Sequence, residues 1–262
     1  MSKKWVIRLL ISGVTTFVVL AAIIGHGYRK CTALNIIVDY DSASVFVTPE
    51  EVKAHLVKMF GDPVGQRLKE INVQSIESML QTNPFICEAQ ANLSLSGELN
   101  VEIKQKKPIL RVFNAKGQQY YLTDKGQMMP ISEHGTQRTP IATGDIFDYY
   151  SSMRNLESEN SSIEDSLLNR SVLFRLWFLE KKIKSDPFMD AQVDQIFVTN
   201  KGEFELVSRV GGQLIVVGNI DNLEKKITKL KALYTESFSQ TGWSKYAIIN
   251  LKFKNQVVCT KK

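Results

Sequence analysis

The longest continuous hydrophobic run lies near the start of the chain, from Val6 to Gly25, and Arg8 is its only charged member. Its length suits a helix that crosses a bilayer core of about 30 Å, because a helix rises about 1.5 Å per residue. A cleaved signal peptide would have a shorter apolar region followed by small residues, and a lipoprotein signal would place small residues directly before its cysteine. Cys31 instead follows a Tyr-Arg-Lys sequence. The pattern therefore favours an uncleaved transmembrane helix over residues 6–25.

Basic residues on the two sides of this run predict its orientation. Lys3, Lys4 and Arg8 lie on the short side, and Arg29 and Lys30 lie on the long side. Because positive residues favour the cytoplasm, we expect residues 1–5 to form a short cytoplasmic tail and the chain after Lys30 to lie outside. The expected contact with the lipid bilayer is the 6–25 run.

The next pattern, from residue 34 onward, is a strand followed by two helices. Leu34–Tyr40 is a short β-branched run typical of a strand. Thr48 and Glu51 have the spacing of a capping box, and Pro49 suits the first helical position. A second helix is predicted to begin near Asn72, whose side chain can cap it.

The apolar period then changes from helical to two, along residues 87–95 and again along residues 99–104, with a Ser-Gly-Glu turn between them. Such alternation is typical of a hairpin with one buried face. Residues 34–107 are therefore predicted to form one domain in the order β-α-α-β-β.

The remaining chain, residues 108–255, is predicted to form a mixed β-sheet domain with packed helices, followed by a C-terminal tail over 256–262. A helix over 168–183 has apolar residues at 4-4-3-4 spacing, and a second helix is expected to start at Asp221 with Glu224 closing a capping box. The predicted strands are Pro108–Phe113, Gln119–Thr123, Gln127–Ile131, Gln192–Thr199, Glu203–Val210, Gln213–Val217 and Tyr246–Phe253. The fold class is α+β.

Charge and cysteine content narrow the function classes. Residues 1–30 hold five basic residues and no acid, which leaves 28 basic against 27 acidic residues in the rest of the chain. The net charge of +6 therefore describes the membrane flanks, and nucleic acid is not an expected partner. A bridge between Cys87 and Cys259 is one alternative in an oxidising compartment, and Cys87 as a small buried hydrophobe is favoured.

No group of residues has a spacing that indicates catalysis, and we expect no enzyme, cofactor or metal site. His26, His55 and His134 have no partner at metal-ligand spacing, and no nucleophile elbow, zinc-protease, phosphate-loop or dinucleotide motif is present. An anchored enzyme with a site of another kind remains an alternative. Residues 145–165 are interpreted as an exposed loop, with an interaction loop as the second interpretation.

Three stretches carry a resemblance to a known family. The sequence N-P-F-I-C-E-A-Q-A-N-L at 83–93 and the hairpin end E-I-K-Q-K-K-P at 102–108 resemble the POTRA domain of the FtsQ/DivIB proteins, and Y-Y-L-T-D-K-G-Q-M-M-P at 120–130 resembles the segment that opens their second domain. The resemblance covers the chain in order, from tail and anchor to POTRA and β domain. It implies a bitopic bacterial cell-division (divisome) protein of the inner membrane, with the bulk of the chain in the periplasm.

The last predicted strand is similar to the family's closing D-L-R-[YF] strand, with Asn250 where Asp is usual and Lys252 where Arg is usual. The resemblance implies that this end receives the small division protein FtsB, itself paired with FtsL, and links that pair to septal wall synthesis. It makes these residues candidate partner contacts: Asn250, Leu251, Lys252, Phe253 and Asn255. The alternative is that Leu251 and Phe253 fill the core.

The POTRA domain carries a second expectation, contact with other divisome proteins, for which the strand near residues 34–39 is a candidate edge. A different function remains open as the alternative: a POTRA-type polypeptide chaperone of membrane-protein assembly or secretion. Such proteins carry a long series of barrel strands after their POTRA units, and this chain is too short for one.

Overall fold

The computed structural model of the chain describes residues 11–18, 20, 28–40, 44–158 and 170–262. The chain divides into two compact units, with the first ending at Gln105 and the second starting at Lys106. None of the three cysteines, Cys31, Cys87 and Cys259, forms a disulfide, so the alternative of a Cys87–Cys259 bridge is not realised.

Most of the predicted transmembrane helix over 6–25, together with the predicted tail over 1–5, lies outside the described residues. Residues 11–18 and residue 20 are helical, with exposed side chains. In the part of the chain that the structure describes, no helix has both the length and the apolar character needed to span a bilayer.

The first unit has the predicted β-α-α-β-β order. The elements are β1 (Ala33–Asp39), α1 (Pro49–Phe60), α2 (Val73–Gln81), β2 (Ile86–Leu93) and β3 (Glu98–Gln105). The three-stranded sheet has β3 in the centre, parallel to β1 and antiparallel to β2. A single 3₁₀ turn, Leu68–Glu70, lies between the helices.

Local capping starts both helices of the first unit where the sequence predicts. The Glu51 N–H donates to the Thr48 hydroxyl at 3.3 Å, and the Thr48 N–H donates to the Glu51 carboxylate at 3.0 Å, which completes the capping box. Asn72 accepts from the Ser75 N–H at 3.0 Å. The buried faces of the helices and of β3 form one core, which includes Leu56, Leu80, Leu99, Val101 and Ile103.

The second unit is built on a nine-stranded mixed sheet. The strands are β4 (Pro108–Phe113), β5 (Gln119–Thr123), β6 (Met128–Met129), β7 (Ile141–Gly144), β8 (Val193–Val198), β9 (Phe204–Ser208), β10 (Leu214–Gly218), β11 (Tyr246–Asn250) and β12 (Val258–Lys261), and the helices are α3 (Val172–Lys184), α4 (Pro187–Gln192) and α5 (Leu223–Ala232). The order of the strands in the sheet is β12-β11-β10-β9-β8-β7-β4-β5-β6. Helix α5 continues into a π-helical stretch, Leu233–Phe238, and a last turn, Ser239–Thr241.

Helix α3 packs its apolar side against the sheet, as its sequence period predicts. Leu176, Leu179 and Ile183 are fully buried, whereas Leu168 lies outside the described residues. Three strand pairs, β4·β7, β7·β8 and β10·β11, are parallel, and the other pairs of the large sheet are antiparallel. The sheet and its helices share one core.

The end of the chain differs from the prediction. The sequence predicts one strand over 246–253 and a tail over 256–262, whereas β11 ends at Asn250 and residues 258–261 form the additional strand β12. The Asn250 carboxamide oxygen accepts the Lys252 N–H at 3.0 Å, and this local turn ends β11. Cys259 in β12 packs against the core, so one face of this last strand is directed toward the core.

Further differences lie inside the second unit. Strand β7 and helix α4 are not among the predicted elements. The predicted capping box of Asp221 and Glu224 is also wrong, because the N-cap of α5 is Asn222, in a left-handed conformation at φ 51° and without a capping side chain. Asp221 instead accepts a hydrogen bond from the Asn219 carboxamide, and Glu224 pairs with Lys182.

Candidate partner-binding surface

The two edge strands of the nine-stranded sheet, β6 and β12, differ in how far other parts of the chain cover them. At one end, β6 is only two residues long, and Met128 and Met129 are fully buried. An isolated bridge between Gln127 and Asn155 and a bond from the Leu156 N–H to the Gly126 carbonyl at 2.9 Å cover this end. The β6 end therefore presents no long free edge.

The other end is open. β12 is the terminal strand of the sheet and pairs with β11, for example through Ile249↔Cys259 and Asn250↔Val258. Val258 is 41 % exposed, and Thr260 and Lys261 are exposed as well. The outer side of β12 has no strand partner within the described part of the chain, so its backbone can template the strand of another protein.

An aromatic cluster packs next to the start of β11, the strand that pairs with β12. The rings of Phe238 and Tyr246 stack at 5.3 Å, and those of Tyr234 and Trp243 lie 5.1 Å apart. The Tyr234 hydroxyl donates to the side-chain oxygen of Gln213 at 3.1 Å, and the amide of Gln213 donates to the Trp243 carbonyl. Because Tyr246 is the first residue of β11, these contacts hold the start of the strand that pairs with β12.

Two of the five predicted site residues have structural roles. Asn250 ends β11 through its bond to the Lys252 N–H. Leu251 is only 3 % exposed, belongs to the core and donates its N–H to the Val216 carbonyl at 2.9 Å. The core interpretation therefore holds for Leu251.

The other three predicted residues, Lys252, Phe253 and Asn255, are exposed in the connection from β11 to β12. Phe253 is 46 % exposed and is not a core residue. The Lys252 ammonium pairs with the Glu203 carboxylate at 2.9 Å. Its stem crosses Gly218, where an added Cβ would lie 2.8 Å from the Lys252 Cγ.

This connection forms one wall of a cleft of about 290 Å³, and the N-terminal half of α5 forms the opposite wall. The cleft is lined by five lysines, Lys225, Lys226, Lys229, Lys252 and Lys254, and by the single acid Asp221. The Lys226 ammonium donates to the Val217 and Asn219 carbonyls at 3.0 and 2.8 Å. Burial lowers the pKa of Lys226 below its ordinary value.

Strand β12 and the lysines of α5 lie outside the predicted site. The signal for β12 is the β-branched stretch around Val257-Val258, which lies in the predicted C-terminal tail over 256–262. The signal for the lysines was their helical spacing, since Lys225 and Lys229 are four residues apart on one side of α5.

The other candidate surfaces have separate locations. In the first unit, β1 is an outer strand of the sheet, with Ile37 61 % exposed. In the predicted loop over 145–165, residues 159–165 lie outside the described residues, and Phe147, Tyr149 and Met153 are exposed. Among the described residues, no group of three or more His, Cys, Asp or Glu side chains could hold a metal ion.

Comparison with known proteins bears on both units. A family model described as "FtsQ/DivIB, C-terminal related" matches residues 107–260, which is more than half of the chain. A model described as "POTRA-like domain" matches residues 29–104. A search of curated proteins gave no match. The two matched ranges follow the division into two structural units.

Proposed function

The chain belongs to the FtsQ/DivIB family, and from this premise we propose that it is a non-enzymatic divisome scaffold that receives FtsB, paired with FtsL, at the β12 edge. Its two domain types indicate a cell-division scaffold and are generally non-catalytic. The observation that carries the proposal is the contrast between the covered β6 end of the sheet and the open β12 end.

The proposed mechanism is strand addition. β11 already has β10 on one side and β12 on the other, so a partner strand has to pair with β12. Backbone hydrogen bonds then give affinity, and side chains beside the strand give specificity. Lys252, Phe253 and Asn255 flank the start of β12 and are proposed contacts, whereas Asn250 and Leu251 hold the connection in place.

We further propose that the protein lies in the inner membrane, anchored by residues 6–25 with the N-terminus in the cytoplasm. The family is typically membrane-associated, and the apolar run has the length of a spanning helix. Both units then lie in the periplasm, where the scaffold links its partners to septal wall synthesis and the POTRA unit meets other divisome proteins. Digestion of spheroplasts by an added protease should degrade both units.

Two proline variants of the full-length chain test the site. Successive backbone N–H groups of an edge strand point alternately toward its neighbouring strand and away from it. One of the variants Cys259→Pro and Thr260→Pro therefore removes an N–H that points away from β11, and it leaves the hydrogen bonds between β11 and β12 intact. We expect that variant to fold normally and to lose capture of a coexpressed FtsB–FtsL pair. Thr260→Val keeps the N–H and should capture the pair as the unaltered chain does.

Capture of the pair by both folded proline variants would contradict the β12 site. Phe253→Glu provides a test that does not depend on the ladder, because Phe253 is 46 % exposed. It should fold normally and bind the pair more weakly. Loss of the fold, or full binding by the folded variant, would remove Phe253 from the contact surface.

The chaperone alternative has less support, because the second unit matches an FtsQ/DivIB model. A chaperone would bind unfolded polypeptides of many sequences through the POTRA unit. The proline variants in β12 would not affect such binding.

A further inference from the structure

The charges of the first unit are divided between one end of the unit and the rest of it. Residues 28–32, 63–70 and 94–97 hold four basic residues and one acid, whereas the remainder of residues 33–105 holds three basic residues and nine acids. We call the three segments the basic end of the unit. Among the described residues, only one of its basic side chains pairs with an acid, at a distance of 3.9 Å. All four basic residues are exposed, and they are Arg29, Lys30, Arg67 and Lys69.

Backbone hydrogen bonds join the three segments of the basic end. The Cys31 N–H donates to the Gln66 carbonyl at 2.8 Å, which connects the chain before β1 to the loop between α1 and α2. The Thr32 N–H donates to the Gly97 carbonyl at 2.9 Å, which connects the same stretch to the β2–β3 turn. The basic end is therefore one connected part of the unit, and it starts at residue 28.

Each segment of the basic end also exposes one apolar side chain. Leu95, at the tip of the β2–β3 turn, is 85 % exposed, Tyr28 is 57 % exposed and Val64 is 47 % exposed. The Arg29 guanidinium donates to the Leu95 carbonyl at 3.3 Å. The Lys69 ammonium lies 3.9 Å from the centre of the Tyr28 ring. Basic and apolar side chains are thus neighbours here, a combination typical of protein surfaces that lie in a membrane interface.

The sequence places the basic end close to the proposed membrane anchor. That anchor ends at Gly25, three residues before Tyr28. Three residues span at most about 11 Å, and the polar headgroup layer on each side of a bilayer is about 5–8 Å thick. Since Tyr28 belongs to the basic end, this end lies at or next to the headgroups of the bilayer that holds the anchor.

We propose that the basic end docks onto an anionic lipid surface, with Leu95 and Val64 inserted at the boundary between headgroups and acyl chains. The inference rests on the proposed anchoring by residues 6–25 and adds a second lipid contact, made by the folded unit. An anionic bilayer attracts the Lys and Arg side chains of the basic end and repels the nine acids of the remainder. The division of charge therefore sets which end of the unit faces the bilayer.

The test uses the full-length chain in vesicles of phosphatidylcholine with about 30 % phosphatidylglycerol, an anionic lipid. One chain carries Leu95→Trp. The matched control carries Ile37→Trp, because Ile37 is an exposed apolar residue about 13 Å along β1 from the start of the strand. Both chains also carry Trp5→Phe, and a chain with Trp5→Phe alone gives the background of Trp177 and Trp243. Lipids with brominated acyl chains quench the fluorescence of a tryptophan that enters the bilayer.

We expect brominated lipid to quench the added tryptophan of Leu95→Trp about 3-fold more strongly than that of Ile37→Trp, because interfacial side chains enter the bilayer by about 5–10 Å. Both chains should keep the thermal midpoint of the unaltered chain, since both positions are exposed. Equal quenching of the two would overturn the inference. A protein occupant of the basic end predicts that outcome, because the vesicles hold no other protein.

Charge-removing substitutions in the Leu95→Trp chain test the role of the basic residues. A first triple variant keeps Arg29, which bonds to the turn, and removes the other three charges of the basic end by Lys30→Gln, Arg67→Gln and Lys69→Gln. We expect it to reduce the quenching by about half or more at about 0.05 M salt. The control triple variant removes the exposed basic residues of the remainder and should not reduce the quenching; its substitutions are Lys53→Gln, Lys58→Gln and Lys104→Gln.

Quenching that the first triple variant leaves unchanged, or that is as strong in phosphatidylcholine alone, would overturn the anionic lipid surface. Flotation of the vesicles after a urea wash shows whether residues 6–25 anchor the chain. A chain that does not float would overturn the anchor and this inference together. A chain that floats with Leu95→Trp unquenched overturns the inference alone. Capture of FtsB–FtsL is read separately, from the proline variants, which carry no substitution in the first unit.

Discussion

Glu180 in α3 is fully buried, and neither oxygen of its carboxyl group has a hydrogen-bond partner among the described residues. Burial raises its pKa from the usual 4.5 to about 8, while Lys184 acts to lower the pKa and Asp190 acts to raise it further. Since the folded pKa lies above the unfolded one, the folded state binds the proton more tightly. This contribution to stability is complete below about pH 4.5 and is lost as the pH rises to about 8.

The variant Glu180→Met tests the direction in which stability changes with pH. Methionine has a similar length and no charge, so we expect the variant to be more stable than the unaltered chain by roughly 2 kcal/mol or more at pH 8.5, and the difference to shrink toward pH 5. Thermal unfolding followed across this pH range measures the difference. A stability difference that does not change with pH would contradict a buried, titrating Glu180.

Gly218 offers a second test on single residues, because it has φ +74° and the stem of Lys252 passes over it. Gly218→Ala combines left-handed strain with a contact of 2.8 Å to the Lys252 Cγ, and should lower the free energy of unfolding by about 2 kcal/mol. Gly212→Ala is the matched control, because Gly212 has φ +60° and open space around it. It should cost about 1 kcal/mol in urea unfolding. Equal costs would mean that Lys252 moves aside freely.

Residue by residue, sequence could identify the stretch of the candidate site but not the direction of its side chains. In a continuous strand, Leu251 and Phe253 would point to the same face, since side chains alternate. In the structure Leu251 is 3 % exposed and Phe253 is 46 % exposed, because the Asn250 turn ends the strand before them. That turn depends on one side-chain hydrogen bond, which apolar periodicity does not detect.

The elements of the first unit follow from signals that lie within a few residues of each other. The capping box of Thr48 and Glu51 and the cap of Asn72 are local contacts, and the structure confirms both. In α5 the predicted box fails because Asn219 bonds to Asp221 and Lys182 draws Glu224 away. The Lys182 contact is 42 residues apart in sequence, beyond what a local pattern can show.

This difference predicts the effects of two matched substitutions. Thr48→Ala should lower the free energy of unfolding by about 1 kcal/mol, because the N–H of Glu51 loses its acceptor at the start of α1. Asp221→Ala should change it by less than about 0.5 kcal/mol, because its side chain caps no N–H of α5. Urea unfolding of the two variants measures both changes. A larger cost for Asp221→Ala would show that the predicted cap operates in solution.

At the scale of the whole molecule, the order of the two units and the α+β class could be predicted from sequence, whereas the order of the strands could not. β7 and β12 are each four residues long, too short for a clear period, and they become strands by pairing with β8 and β11. The order of the strands decides which strand lies at the open end of the sheet. The candidate site at β12 can therefore be identified only when all the strand pairs are known.

Truncation after Gln256 tests the role of this open end directly. The cut removes β12, while β11 keeps its parallel pairing with β10 and Leu251 keeps its bond to Val216. We expect the second unit to stay folded with a lower thermal midpoint, because one terminal ladder and the packing of Cys259 are lost. Capture of the coexpressed FtsB–FtsL pair should be lost.

A chain lacking only Lys262 retains β12 and should capture the pair normally. Undiminished capture by the folded truncated chain would mean that the partner binds elsewhere, and the β1 edge of the POTRA sheet would then be the next surface to test.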